Sequence, residues 1–397
     1  MLRYQTAGES HGPGITAIVS GFPSGVPVNA ETIDRDLARR QGGYGRGGRM
    51  KIEKDRVTFL SGIRFGRSMG SPITLAIKNR DYENWLEIMD PAPGDVDESR
   101  SVTRPRPGHA DLPGCLKYAH HDARNILERA SARETAARVA VGAVCKCLLG
   151  EFGIRVFSHV VRIGRVTAHA GDLSPDEIRE KAEASDVRCV DEQAAKKMRE
   201  HIDEAKSRGD TLGGLVEIVA TGVPAGLGDV MNAEDKLDGL LAGALMSIQA
   251  VKAVEIGMGM KTTEVFGSEV HDAIFYSSES GEAIPGRGPS GGFYRKTNNA
   301  GGIEGGMTNG EPVIARAAFK PIPTMMTPKE SVDMKSRHPF EASKERSDVC
   351  AVPAGGVVAE AALAFVVAKV FLRKFGGDSL LEIRRNFDAF VRYMKEF

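Results

Sequence analysis

The sequence predicts an α/β protein built as a single large domain over residues 1–397, organised around an internal repeat. The string GITAIVSGFPSG at 14–25, followed by Asn29-Ala30-Glu31 and a helical pattern, matches GLVEIVATGVPAG at 214–226, followed by Asn232-Ala233-Glu234 and a second helical pattern. Each copy, near 14–40 and 214–245, reads as strand, G-x-P-x-G turn and capped helix, and two such copies imply a pseudo-symmetric body rather than a solenoid. The chain has 397 residues and 41% hydrophobic content, enough to fill a sizeable core.

Composition narrows the function classes. Lys plus Arg and Asp plus Glu each number 53, so the formal net charge is zero. That balance argues against a general nucleic-acid binder and for charge gathered locally. The five cysteines are an odd number without paired metal-ligand spacing; Cys145 and Cys147 read as small core residues, and no metal is expected. The start MLRYQTAGESHG has no apolar signal segment, and the most apolar run, 352–372, is interrupted by Glu360, Lys369 and paired glycines. A reduced, cytoplasmic protein without a membrane span is the expectation.

Taken in order, TAGESHGPGI sets Ser10 and His11 between glycines just before the alternating run 15–20. Adjacent residues on extended chain point to opposite sides, which argues against a Ser-His nucleophile-base pair there. Asn29 caps a helix over 30–40 that ends at Gly42 and Gly43. The following loop holds Arg46 and Arg49 beside Arg39 and Arg40 among five glycines, a composition suited to phosphate or carboxylate. An RNA-binding segment is the rival reading of RGGYGRGGR; its position between a capped helix and the strand-like 57–60 weighs against it.

The densest set of functional side chains falls in 104–149. RPRPGHADLPG carries Arg104, Arg106, His109 and Asp111 on backbone punctuated by Pro105, Pro107, Pro113, Gly108 and Gly114, and reads as a shaped loop without regular structure. Ser131 and Glu134 then form an S-x-x-E capping box for a helix over 132–149, stopped by Gly150. Arg129 and Arg133 flank that cap, making its N-terminus a candidate anion pocket.

Beyond it, Ser174-Pro175 opens a polar helix and 191–207 forms another, both expected on the outside. HDAIFYSSESGEAIPGRGPSGG reads as a mobile loop, and KTNNAGGIEGGMTNGEP as a second glycine-rich cradle before a strand over 313–319. Arg337, His338, Arg346 and Asp348 precede a helix over 357–374, and a last helix covers 380–394.

The strings GESHGPG, RQGGYGRGGRM, RPGHADLPG, ERASARETAARVAVGAV, NNAGGIEGGMTNG, FKPIPT and RSDVCAVPA, in this order, strongly resemble the chorismate synthase family from end to end. The resemblance implies a large β-α-β sandwich assembled as a homotetramer. It also implies conversion of 5-enolpyruvylshikimate 3-phosphate to chorismate and phosphate, with reduced FMN required and no net oxidation. By motif, it makes His11 the donor to the departing phosphate, His109 the partner of the flavin ring near N1, and Asp348 an aid in taking the substrate proton. FMN contacts are implied at Arg129, Ala130, Ser131, Gln249, Ala250, Gly305, Lys320, Pro321, Ile322, Pro323, Thr324 and Arg346. Ser10, Arg40, Arg46, Arg49, Arg106 and Arg133 would serve the substrate anions or an NADP phosphate. Whether the chain reduces its own flavin with NADPH stays open, and a flavin-free phosphate lyase remains a rival.

Overall fold

The computed structural model describes residues 1–48, 53–94, 100–277, 285–344 and 347–397. Two antiparallel sheets form its frame. Arg3–Ala7, Gly14–Ser20, Ile73–Lys78 and Val57–Ser61 lie side by side in that order in the first. In the second the order is Val251–Ile256, Val313–Phe319, Gly214–Thr221, Arg155–Ile163 and the short Val166–Thr167. Omitting that last strand, both sheets use one connectivity: edge strand, second strand, outer strand, then return to the gap between the last two.

A helix follows the second strand in each copy, α1 (Ala30–Gln41) in the first and Leu237–Met246 in the second. Another follows the fourth, α4 (Thr135–Gly150) and the core helix Val352–Phe375. α4 packs on the first sheet, the core helix packs on the second, and the two pack on each other. Alternate strand positions therefore turn Ile15, Ala17 and Val19 inward on one sheet and Val216, Ile218 and Ala220 inward on the other. Small Ala and Val residues let the two helices approach closely, and one continuous core results.

The repeat extends further than the strand and turn visible in the sequence. Gly25 N donates to Ser68 O at 2.8 Å, Val26 N donates to Ser68 Oγ at 3.0 Å, and that Oγ donates to Pro23 O at 2.6 Å. In the second copy Gly226 N donates to Thr308 O at 2.7 Å, Leu227 N donates to Thr308 Oγ1 at 2.8 Å, and Oγ1 donates to Pro224 O at 2.6 Å. Thus GIRFGRSMGSP at 62–72 and GIEGGMTNGEP at 302–312 are equivalent hairpins, a likeness the sequence reading overlooked.

Several expectations need correction. Asn29 does cap α1, its Oδ1 accepting from Glu31 N at 2.9 Å, but Asn232 makes no such bond and a 3-10 turn, Ala233–Asp235, precedes the second helix. The shaped loop ends early, because α2 (Asp111–Tyr118) includes Pro113 and Gly114. Pro is tolerated in the first helical turn, where its missing N–H would have had no partner. Gly114 is needed there, since a Cβ would lie 2.4 Å from Ile126 of α3 (Arg124–Ala130).

Gly150 does not stop α4 but is its last residue. The core helix starts at Val352, five residues before the expected 357, with Pro353 in its first turn. Its length and composition would suit a membrane, yet here it is the central buried helix. Ile274–Tyr276 and Phe293–Arg295 pair as a hairpin at the ends of the stretch expected to be a loop; 278–284 lies outside the described residues.

Candidate active site

The site grows from the loop between the first two strands. Gly8 has φ 112°, and a Cβ there would lie 2.3 Å from Gly14 O, so the loop can close only on glycine. Asn79 Nδ2 donates to the carbonyls of Glu9, Ser10 and Gly12 at 3.0, 3.2 and 2.7 Å, fixing the segment that carries Ser10 and His11. Ser10 Oγ donates to Ser131 Oγ at 3.0 Å. His11 meets Glu128 twice, through its backbone N at 2.8 Å and through Nδ1 at 2.8 Å. Its ring stacks on Trp85 with centroids 4.0 Å apart.

Ser131 lies at a helix start, as expected, but the cap is local. Its Oγ accepts from Arg133 N at 3.2 Å over the 3-10 turn Ala132–Glu134, and α4 follows. The expected capping box is not closed: the Glu134 carboxylate accepts from Thr6 Oγ1 at 2.7 Å, Arg138 Nε at 3.0 Å and Gln249 Nε2 at 3.3 Å. The charged Arg138 and the two neutral donors engage it away from the turn.

Arg40 and Arg133, read as ligand-facing forks, both point inward. Arg40 NH2 donates to Asp55 Oδ2 at 2.6 Å, and Arg133 donates to Asp55 Oδ1 at 2.5 Å and through Nε to Asn79 Oδ1 at 2.7 Å. Burial brings Arg40 down to about 10, with Asp55 opposing the shift. Burial would raise the Asp55 carboxyl, but the two guanidinium groups hold it below its ordinary value. Arg39 also turns inward, to Asp36, Glu183 and the fully buried Glu360.

Other predicted cations stay nearer the surface. Arg129 reaches Thr6 O at 2.9 Å and Gly8 O at 3.3 Å, and with Arg138 it lines an open groove of about 500 Å³ beside Tyr4, Thr16 and Ile18. Arg46 pairs with Asp348 at 3.1 Å, and Gly47 N donates to the same carboxylate at 2.6 Å. Arg49 and Arg346 lie outside the described residues.

His109 belongs to a second network. Asp111, fully buried, faces His109 Nδ1 at 2.6 Å and Arg106 Nε at 2.8 Å, while Arg106 NH1 donates to Thr324 Oγ1 at 3.2 Å. Burial opposes the Asp111 charge, yet bonds from His109 and Arg106 hold its carboxyl well below the usual range. Lys320 Nζ donates to Gly108 O at 2.6 Å and its backbone N to Ala250 O at 2.9 Å, and Thr211 Oγ1 donates to Ile322 O at 2.8 Å. The segment 320–324, which includes Pro321 and Pro323, is thereby joined to both the His109 loop and Gln249-Ala250.

Glu128, Asn79, Asp55 and Trp85 went unrecognised in the sequence. Only the position of Glu128 within ILERASARE offered a signal, since it places this carboxylate in α3, just ahead of the Ser131 turn.

With this geometry in view, the comparisons decide the assignment. A family model described as chorismate synthase matches residues 2–372. The chain belongs to the chorismate synthase family. It is 56% identical over 400 residues to the chorismate synthase of Geobacter metallireducens and 58% identical over 395 residues to that of Pelobacter propionicus, with full coverage of each chain. A solved structure described as chorismate synthase is similar, with TM-score 0.79 and 42% identity, covering 100% of this chain and 99% of the other. The activity is therefore that of a chorismate synthase, a lyase of the shikimate route to aromatic amino acids.

Proposed function

We infer that the chain binds 5-enolpyruvylshikimate 3-phosphate beside reduced FMN and expels phosphate by an anti-1,4 elimination, with His11 and His109 as separate proton-handling groups. The observation that carries this reading is the matched pair of networks: each histidine sits in a rigid loop with Nδ1 against a buried carboxylate, Glu128 or Asp111. Such a carboxylate fixes the imidazole tautomer and supports its charged form.

The residues present suit a flavin. Gln249 Oε1 is buried without a hydrogen-bond partner, an acceptor that a flavin ring N–H would satisfy. Burial and the nearby Lys252 lower the Lys320 amine, as expected where two cations converge on a phosphate position. Arg129, Ala130, Ser131, Gln249, Ala250 and 320–324 would hold the cofactor. Gly305, in the hairpin at 302–312 with φ 59°, joins this set by motif alone. Reduced FMN, when bound, supplies electron density to the breaking C–O bond and recovers it, so it is required but not consumed.

The chain's own groups do the rest. His11 delivers a proton to the departing phosphate, with Ser10 beside it. Asp348, held by Arg46 and Gly47, helps receive the proton lost by the substrate. Arg106 orients His109 through Asp111, and Arg129 and Arg46 supply fixed positive charge to the anions. Arg40 and Arg133 act through Asp55, stiffening the loop that carries Ser10 and His11. We further place the enzyme in the cytoplasm as a homotetramer whose two copies of the repeat are related by an approximate twofold in one β-α-β sandwich.

The test is anaerobic. A limiting amount of photoreduced FMN and excess substrate should give many chorismate molecules per flavin, with the flavin still reduced at the end. One product per flavin, or equal activity with oxidised FMN, refutes the reading; activity without flavin favours the phosphate lyase.

A further inference from the structure

We propose that Glu128 is the positioning residue for His11, holding the imidazole with its Nδ1 proton on the carboxylate and leaving Nε2 as the nitrogen that exchanges a proton with the substrate. The inference rests on His11 being the donor, as read above.

The geometry admits little freedom. One Glu128 carboxylate takes both the His11 backbone N–H, at 2.8 Å from Oε2, and the ring Nδ1, at 2.8 Å from Oε1 and 3.1 Å from Oε2. A loop shift would therefore move the backbone and ring contacts together. The carboxylate is almost fully buried. Burial would favour its neutral form, but the bonds and charge of His11, with Arg124, hold the carboxyl below its ordinary value. An ionised carboxylate has no proton to give, so Nδ1 must be the donor in this pair. The ring face rests on the Trp85 indole at an interplanar angle of 28°, which blocks rotation about the ring axis.

The charged groups around the pair set the sign of the expected effects. Glu128 favours the imidazolium. Arg124 comes from the same helix, donates to Glu128 Oε1 at 3.2 Å and lies over the Trp85 ring at 4.9 Å, so it opposes the imidazolium directly and by engaging Glu128. Glu9 lies in the His11 loop, and Trp85 contributes an uncharged indole.

Trp85 is the chain's single tryptophan and touches His11, so its emission reports this ring without any cofactor. Protonation of a stacked imidazole creates a cation–π pair and changes indole emission. The whole chain, without added ligands, should show a pH-dependent emission change that disappears in His11→Gln. In Glu128→Gln, which keeps the shape and loses the charge, the midpoint should fall. In Arg124→Gln, an independent variant that keeps Glu128, the midpoint should rise.

With substrate and photoreduced FMN, Glu128→Gln should lower kcat more than it raises KM, and the pH limb of kcat should move in step with the emission midpoint. Superimposable titrations of Glu128→Gln and the parent chain overturn the proposal, as does an Arg124→Gln midpoint that stays or falls. A moved midpoint with unchanged kcat leaves the pairing intact and refutes the donor role of His11 instead, so the two failures are distinguishable.

Discussion

Gly142 of α4 lies directly against Ala361 of the core helix: a Cβ on Gly142 would fall 2.3 Å from the Ala361 Cβ and 2.4 Å from its Cα. The two helices that join the sheets approach closely here, and Ala361 backbone lies in the contact, so no flexible side chain can yield. Gly142→Ala should destabilise the protein by about 1–3 kcal/mol through overpacking. By contrast Gly243, exposed in a helix with no neighbouring side chain among the described residues within 4 Å of an added Cβ, should gain up to about 1 kcal/mol as alanine. Urea midpoints measured on the two variants should move in opposite directions; a shared direction would contradict the packing account.

Asp55 is the common counter-charge of Arg40 and Arg133. Replacing it with Asn leaves two buried guanidinium groups short of charge compensation, a loss of about 3–5 kcal/mol for a broken buried pair. Because the same arginine also grips Asn79, the His11 loop should loosen at the same time. Faster amide exchange across 8–14 in Asp55→Asn, relative to 214–221, is the expected signature.

Glu360 gathers Arg39, Lys146, Arg188 and Ser158 inside the core. Burial works against its charge, yet those cations hold the carboxyl well below the usual range. A depressed carboxylate contributes stability that is complete above its unfolded value, near about 4, and is lost as pH falls toward the folded value. Thermal stability should therefore decline below about pH 4. Glu360→Gln should be less stable at neutral pH and show a shallower decline in acid; a parallel acid profile would mean that other carboxylates carry the effect.

His11→Ala and His109→Ala should each reduce turnover by about a hundred- to ten-thousand-fold while leaving the fold intact, as suits positioned proton carriers. Circular dichroism and kcat on the same samples check both halves of that expectation. Near-normal turnover in either variant removes that histidine from the mechanism.

The frame was legible where local rules govern it. The strand 14–20, the Asn29 cap and the turn glycines at 21 and 25 follow from period-two alternation and positive φ. The hairpin equivalence of Ser68 and Thr308 escaped notice because Gly66 follows Gly25 by 41 positions in the first copy, whereas Gly306 follows Gly226 by 80 in the second. In the candidate site, His11, His109 and Asp348 could be named by motif, and Asp111, Arg106 and Arg46 beside them fell in charge-rich loops, whereas the partner of His11 could not be named. Glu128 lies 117 residues from His11, and Asp55 lies 78 from Arg133; no spacing rule links such positions, and only tertiary packing joins them. The pairing of Arg40 and Arg133 with Asp55 was hidden for the same reason. Sequence displays a guanidinium as a fork, but not the carboxylate that already occupies it.

The pairing of α4 with the core helix also constrains the order of assembly. Each helix follows the fourth strand of its own half, so the first half leaves the ribosome with the apolar flank of α4, including Gly142 and Ala143, turned toward a partner not yet made. About 200 residues of translation separate that flank from its cover at 352–375, and synthesis at roughly 5–20 residues per second makes this an interval of tens of seconds. Nascent chains therefore carry a sticky surface through much of their synthesis, and the step that completes the protein is the late insertion of its penultimate helix.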